Sequence, residues 1–495
     1  MSLPHDWLTF YSQIFDAKDL QFFESWIQKP FRRSIRINAK RVNVQKFRQL
    51  SQKLDWSLDP IPWCDEGFWV GGKVENLDEK EGDTVQNSDS EESFLKKFSG
   101  RHFWHLSGLF YMQEASSMIP PTLFDFSEKT SPLVLDMAAA PGSKTTQLAE
   151  RLSSRGCLFA NEPDLSRLKG MTTNLDRLGT DTILVSRKDG GFFGKHMPET
   201  FDAILLDAPC SGDGMGAKDM RSLLHWTPKK SLMMARLQKT LITSAFEALK
   251  VGGELVYSTC TFSPYENEGV VQHLFDTFPD MVEAVQHDLS TGGLTGIEGN
   301  VFDSRISKAA IRITPWTHES EGFFAIKLKK LKSTGVKPKI NPHPKSSYHR
   351  VPFKKEQIII SYLKKHYGII FELSRKATFI ENGTTIWMIP QRILNEFSEF
   401  PLYWFGLKIG DLYEHELRIS HSFALEYGLQ ATKNFADIDA KQLLEYYEGK
   451  DLPMSCDFHG VVILRHEGVV VGTAKQQETG LKNLFPRGIL QRLLK

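Results

Sequence analysis

Two cysteines stand where a packing thiol has no need to be. Cys210 lies in Asp207-Ala208-Pro209-Cys210-Ser211-Gly212 and Cys260 in Tyr257-Ser258-Thr259-Cys260-Thr261, each just after a short apolar run. A lone cysteine is usually a small buried hydrophobe, and Cys64, Cys157 and Cys456 are read that way. A thiol in a polar turn flanked by Pro or Thr is accessible to reaction, and its thiolate is a strong nucleophile. Two such turns predict a catalytic role for both thiols.

A second element is Asp136-Met137-Ala138-Ala139-Ala140-Pro141-Gly142-Ser143-Lys144-Thr145, leading into a helix near Gln147. Its small residues let the backbone approach a ligand closely at the carboxyl edge of a sheet. Ser143 separates Gly142 from Lys144, which breaks a phosphate-binding P-loop, and a dinucleotide fingerprint needs spaced glycines where only Gly142 is present. ATP hydrolysis and NAD chemistry are disfavoured. Glu162 ends the next apolar run, where an acid can accept both hydroxyls of a ribose, and Asp189 in Lys188-Asp189-Gly190-Gly191 can meet the exocyclic amine of an adenine. Taken singly, either acid reads as a helix cap or turn residue.

The elements that must position these residues lie between Pro132 and Leu328, where short apolar strands alternate with helical stretches. That alternation predicts an α/β domain with a parallel sheet covered on both faces. Strands are expected at Leu133 to Asp136, Cys157 to Glu162, Thr182 to Val185, Ala203 to Asp207 and Glu254 to Thr259. Gly322 to Leu328 is expected as a last, antiparallel edge strand. Both reactive cysteines then leave neighbouring strands on one edge.

At 495 residues the chain predicts about three domains. With 41% hydrophobic and 24% charged residues it has the balance of a folded, water-soluble protein, which excludes collagenous and wholly disordered readings. A formal charge of +1 leaves no whole-molecule field, so an anionic partner must meet local basic patches. One candidate is Gln28 to Lys53, with nine basic residues (Lys29, Arg32, Arg33, Arg36, Lys40, Arg41, Lys46, Arg48, Lys53), no acid and Phe31 and Phe47 interleaved. Lys73 to Ser93, with eight acids, is expected as a surface loop. Ile326 to Arg350, with eight basic residues and three prolines, suits an inter-domain linker. After it come a small mixed module and, from Gly460 to Gly472, two strands joined by a polar turn as in a small β-barrel. The start of the chain lacks a signal-like pattern, and no apolar stretch approaches the roughly 18 residues of a membrane span. Five scattered cysteines exclude a disulfide framework or zinc ribbon, so a cytoplasmic protein with reduced thiols and no metal is expected.

These motifs together resemble AdoMet-dependent RNA cytosine-C5 methyltransferases of the Nop/Sun family. The likeness runs from about Arg33 to Leu328 and includes Arg36-Ile37-Asn38, Gln113-Glu114-Ala115-Ser116-Ser117 and Gly322-Phe323-Phe324 besides the three motifs above. Val471-Gly472-Thr473-Ala474-Lys475, followed by Leu481 to Gly488, is similar to the PUA-like RNA-binding ending of the RsmF type, whose substrate is 16S ribosomal RNA. The resemblance implies a Rossmann-like AdoMet-dependent methyltransferase domain between an N-terminal RNA-binding module and a C-terminal PUA-like β-barrel. It implies units at 1–117, 118–330, 331–405 and 406–495, the third a linker with a small module.

By the family pattern Cys260 is the nucleophile that adds to C6 of the base, and Cys210 assists release. S-adenosyl-L-methionine is expected on Ala138, Ala139, Ala140, Pro141, Gly142, Ser143, Lys144, Glu162, Asp189 and Asp207. Asp207 either stabilises protonation at N3 or only orients the cofactor. Expected partners are 16S ribosomal RNA or the small ribosomal subunit, with no membrane and a monomeric chain. The tail and the Gln28 to Lys53 patch are expected to supply RNA affinity, and a chain ending near Arg350 to keep cofactor binding. Three other readings remain: a catalytically silent RNA-binding assembly factor, a tRNA cytosine-C5 methyltransferase, and a methyltransferase for protein or small molecules.

Overall fold

The computed structural model describes residues 3–29, 32–72, 98–152, 156–339, 348–371, 373, 377–398, 400–454, 460–487 and 489. The acidic segment 73–93, Phe31 and Cys456 lie outside the described residues.

Two helices, His5–Tyr11 and Ala17–Trp26, open the chain. An antiparallel sheet in the order β2-β3-β1-β4 follows, built from β1 (Ser34–Ile37), β2 (Trp56–Ile61), β3 (Cys64–Gly72) and β4 (Phe110–Met112). The next strands are β5 (Leu133–Asp136), β6 (Cys157–Asn161), β7 (Ile183–Ser186), β8 (Phe201–Asp207) and β9 (Leu249–Thr259). They are parallel in the order β9-β8-β5-β6-β7, with β5 at the expected Leu133–Asp136 and the other four shifted at one or both ends. Their runs are apolar on both faces because both faces are packed. Leu133, Leu135, Ile204 and Leu206 join one core while Val134, Ala203 and Leu205 join the other, the period-2 alternation of a strand.

Chain order continues with β10 (Val282–Val285), a small hairpin of β11 (Gly296–Ile297) and β12 (Asn300–Val301), β13 (Ile311–Ile313) and β14 (Phe323–Lys330). β14 is antiparallel to β9, as expected, but it is no edge strand, since β10 and β13 pair along its far side. Its residues Phe323 to Ile326 are all buried, which leaves no solvated margin for an edge.

Next come β15 (His349–Arg350), inside the stretch expected as a linker, the helix Phe353–Tyr367, β16 (Ala377–Asn382), β17 (Thr385–Pro390), β18 (Trp404–Phe405), β19 (Leu407–Tyr413) and β20 (Glu416–Ile419). The sheet β15-β16-β17-β19-β20 straddles the border expected at 405. β18, just before that border, pairs antiparallel with β7 and closes the other edge of the central sheet. The last sheet is β21 (Phe435–Asp437), β22 (Val461–His466), β23 (Val469–Gln477) and β24 (Gly480–Asn483), with the expected hairpin formed by β22 and β23. Val462 and Leu464 of this sheet, with Leu443 and Tyr446 of the helix Ala440–Tyr447, share one core with Ile35, Trp56 and Phe110 of the N-terminal sheet and Phe47 of the helix Val44–Gln52. The two ends of the chain therefore pack on each other.

This packing bears on the expectation that a chain ending near Arg350 keeps its cofactor site. Such a cut would remove β18 and strip Ile389, Phe400 and Phe405 from the core that covers β5 and β6. The basic segment is corrected. Arg36 is buried on Glu150 at 2.6 Å, Arg41 faces Glu426 at 3.6 Å, and Arg32 meets Glu319 at 2.7 Å and also Asp59. Lys29, Lys40, Lys46, Arg48 and Lys53 stay exposed.

Phe400 stacks edge-on against Phe159 of β6 at 5.5 Å. Phe400→Ala is expected to destabilise the central domain by about 3–5 kcal/mol, the cost of an emptied aromatic site. Urea unfolding monitored on the full chain measures it; a loss below about 1 kcal/mol would mean that the downstream module is only loosely attached.

Candidate active site at the carboxyl edge of the central sheet

Asp207 stands opposite Ser258 in the parallel pair β8–β9, and Ala208 N donates to Ser258 O at 2.9 Å, so both chains leave the sheet in step. The turns that follow bring Cys210 Sγ to 3.0 Å from Cys260 Sγ, with both residues partly exposed. The turns are stitched together. Ser211 and Thr261 share a hydroxyl hydrogen bond at 3.0 Å, Gly214 N donates to Cys260 O at 3.1 Å, and Gly322 N donates to Gly214 O at 2.8 Å. Gly214 has to be glycine, because a Cβ there would sit 2.5 Å from Gly322 O and 2.8 Å from Cys260 O. Glu266, buried, accepts from Ser211 N and from Gln238 Nε2, both at 2.9 Å, and Gln238 also donates to Pro209 O. The hydrogen bond to Cys260 and burial hold the Cys210 thiol well above its ordinary range.

Lys144 points its ammonium at Asp207, with Nζ 2.8 Å from Oδ2, and lies over the ring of Phe323. Ser258 Oγ donates to the other Asp207 oxygen at 2.7 Å. Of the residues expected on the cofactor, Lys144 therefore faces the thiol side of the edge.

The turn Ala138 to Gly142 is fixed by Ala139 N to Asn161 O and Gly142 N to Ala139 O, both at 2.8 Å. Gly142 adopts φ 99°, and the helix Ser143–Leu152 starts at once. Arg167 donates to Ala140 O at 2.8 Å and Asn174 to Pro141 O at 3.0 Å. Two buried carboxylates line this part of the edge. Asp136 accepts from Thr145 Oγ1 at 2.7 Å through one oxygen, while Oδ1 has no hydrogen-bond partner among the described residues, and burial pushes its carboxyl up to about 7. Glu162 accepts from Asp164 N at 3.0 Å, and its buried Oε2, 3.3 Å from the Arg167 guanidinium, likewise has no hydrogen-bond partner. Orphaned buried carboxylate oxygens beside a close backbone turn fit a ligand with hydroxyl donors such as the ribose of AdoMet. Asp189 is exposed and caps its own turn, accepting from Gly191 N at 2.9 Å.

Several residues near the thiols were not singled out from sequence. Asp213, the next residue after the Cys210 motif, is wholly buried and accepts from Phe262 N at 3.1 Å and from the Thr261 hydroxyl. Trp7 and Tyr11 of the first helix also donate to it. Glu266 was missed as well. In a bare sequence a single acid in a loop carries no mark of burial. Arg36 and Gln113 explain their motifs: Arg36 Nε donates to Gln113 Oε1 at 3.0 Å and Nη2 to Thr146 Oγ1 at 2.8 Å, fixing the helix behind the cofactor turn.

A Rossmann-like sheet with this cofactor edge and a C-terminal PUA domain defines an AdoMet-dependent RNA methyltransferase. Residues 123–329 match the family described as 16S rRNA methyltransferase RsmB/F, residues 3–115 the N-terminal domain of 16S rRNA methyltransferase RsmF, and residues 433–491 the methyltransferase RsmF PUA domain. Ribosomal RNA small subunit methyltransferase F of Vibrio atlanticus is 34% identical over 496 residues, covering 99% of this chain and 98% of its own. That of Aeromonas hydrophila is 35% identical over 506 residues, with the same coverage of 99% and 98%. Among solved structures, a methyltransferase homolog protein from Pyrococcus horikoshii has a TM-score of 0.53 and 32% identity over 66% of this chain and 94% of that one. The chain belongs to the RsmF family of 16S rRNA methyltransferases. Among the described residues no helix is long and apolar enough to cross a membrane.

Because the neighbouring sulfur is the first cause of the raised Cys210 thiol, Cys260→Ala should lower it toward the ordinary range. At a fixed pH near 8, Cys210 in that variant is expected to react faster with iodoacetamide than in the parent chain, as a larger thiolate fraction requires. Peptide mass spectrometry across a pH series reads this; an unchanged Cys210 profile would mean that burial alone sets it.

Proposed function

We propose that this chain transfers a methyl group from S-adenosyl-L-methionine to C5 of a cytosine in 16S ribosomal RNA, with Cys260 as nucleophile and Cys210 assisting release. The observation that carries the reading is the 3.0 Å approach of the two thiols beside the Lys144–Asp207 pair.

C5 of cytosine is too weak a nucleophile to take a methyl group from a sulfonium unaided. The Cys260 thiolate donates an electron pair to C6, and the ring electrons move to C5 and toward N3. Asp207, held by Lys144 and Ser258, either stabilises N3 once it takes a proton from water as that charge builds, or only orients the cofactor. Ala138, Ala139, Ala140, Pro141, Gly142, Ser143, Lys144, Glu162, Asp189 and Asp207 would hold AdoMet, which would supply an electrophilic methyl group to C5 and leave as S-adenosylhomocysteine. Lys144 acts through Asp207. For release, Cys210 gives its proton to solvent. The Cys210 thiolate then takes the C5 proton, the C5–C6 double bond reforms, and Cys260 leaves as thiolate. Because the base edge must reach both sulfurs, the nucleotide has to be single-stranded or flipped out.

The exposed Lys29, Lys40, Lys46, Arg48 and Lys53, together with the PUA domain, are the phosphate-facing surfaces, so RNA affinity falls steeply with salt. The enzyme works in the cytoplasm, where its ribosomal RNA substrate is, and as a monomer.

Denaturing gel electrophoresis with labelled RNA tests the roles. Cys260→Ala should be inactive and form no cross-linked species, whereas Cys210→Ala should accumulate a denaturant-resistant complex when AdoMet is present. A complex in the Cys260 variant alone would reverse the assignment, and full activity in both would remove the covalent step. For the cofactor, Glu162→Ala should weaken AdoMet binding by about 1.5–3 kcal/mol, roughly ten- to 150-fold. Calorimetry on the folded variant measures it, and an unchanged affinity takes Glu162 out of the site.

A further inference from the structure

We propose that the first helix, acting through the Asp213 carboxylate, sets the spacing of the two thiols, which makes Tyr11 and Trp7 positioning residues of the methyl-transfer site. The inference rests on the roles given above to Cys210 and Cys260.

Asp213 follows Gly212, whose φ of 78° turns the chain inward, and its side chain is wholly buried. One oxygen serves the Cys260 turn: Oδ1 accepts from Phe262 N at 3.1 Å and from the hydroxyl of Thr261, the residue after Cys260. The other oxygen serves the amino terminus, with Oδ2 accepting from Trp7 Nε1 at 3.1 Å and from Tyr11 OH at 2.5 Å. One carboxylate thus joins the turn of each thiol to a helix about 200 residues away in sequence. No salt-bridge cation lies on it among the described residues, so these donors supply its compensation.

Packing runs along the same line. Trp7 and Tyr11 are fully buried and, with Phe23, surround Phe262, whose ring meets Trp7 at 6.5 Å, Tyr11 at 6.2 Å and Phe23 at 5.5 Å. Phe262 lies two residues past Cys260, so the helix holds the backbone of the nucleophile turn from outside the sheet. The turns lie beyond the strand ends, where no ladder hydrogen bond fixes them. Their mutual position therefore depends on Asp213, on Ser211–Thr261 and on Gly214 N to Cys260 O. A small shift there changes whether the sulfurs share a proton.

Tyr11→Phe keeps the ring and removes one donor to Oδ2, Trp7→Phe removes the other donor to the same oxygen while replacing the indole by a smaller ring, and Asp213→Asn weakens the acceptor. In Tyr11→Phe kcat is expected to fall about tenfold, the size of one lost hydrogen bond to a charged group. The KM for RNA and the AdoMet affinity should stay at parent values. The covalent RNA complex should also persist longer on a denaturing gel, since Cys210 no longer meets the adduct correctly. Parent kcat and parent adduct lifetime in Tyr11→Phe and Trp7→Phe, with only a lowered Tm, would overturn the proposal, as would an equal loss of AdoMet affinity. The two ideas fail separately. An active Cys260→Ala chain sinks the covalent reading itself, whereas an inactive Cys260→Ala chain beside unaffected helix variants sinks only the positioning role. Should Asp213→Asn not fold, the two conservative helix variants still decide.

Discussion

The parallel pairing of β8 with β9 is the constraint on which the active edge depends. Asp207 and Ser258 lie opposite each other, and turns of similar reach carry the two sulfurs to 3.0 Å. A slip of one residue would exchange every side chain between the two faces of the strand. Here both faces are packed, Leu206 in one core and Leu205 in the other, so a slip has no solvent side to absorb the misplaced groups. The burial that drives folding is therefore also what sets the distance between the reactive thiols.

Past the strand ends the problem changes from apolar packing to polar satisfaction. Backbone groups in a buried turn need partners, and a buried acceptor left without one costs more than its hydrogen bond contributes when made, roughly 1–3 against 0.5–1.5 kcal/mol. Glu266 and Asp213 meet this need for the two thiol turns. Arg312 does so behind them, donating to Phe262 O at 2.9 Å and to both oxygens of the buried Glu268. Buried ion pairs of this kind are weak evidence for stability, because desolvation offsets much of the attraction. Their contribution here is orientation: a forked guanidinium between a carboxylate and a backbone carbonyl has one good geometry.

The flanking modules are part of the same body. β18 closes the β7 margin of the central sheet, and the last sheet shares its core with the first. An exposed strand margin is a template for unwanted pairing, and covering it with a downstream strand removes that hazard. RNA approaching the edge therefore meets surfaces whose relative placement the fold already fixes.

Much of this was legible in the residues. Unbroken apolar runs marked the parallel strands, because strands covered on both faces have no room for polar side chains. The turns after Asp136, Asp207 and Thr259 stood out because small residues, Pro and Cys gather there for chemistry that packing does not require. Local composition was a poor guide where side chains find partners across the fold. Arg36 and Arg41 read as phosphate ligands but are consumed by Glu150 and Glu426, and a segment after Arg350 that read as a separate module completes the central sheet. Asp213 had no sequence signal at all. The sequence by itself determined the strand pattern, the close turn after Asp136 and the identity of the two thiols that meet, since these depend on residue type and short spacing. Only the tertiary structure decided which charges are buried, which strand ends the sheet and what holds the thiols together, because those depend on contacts between residues up to about 200 positions apart.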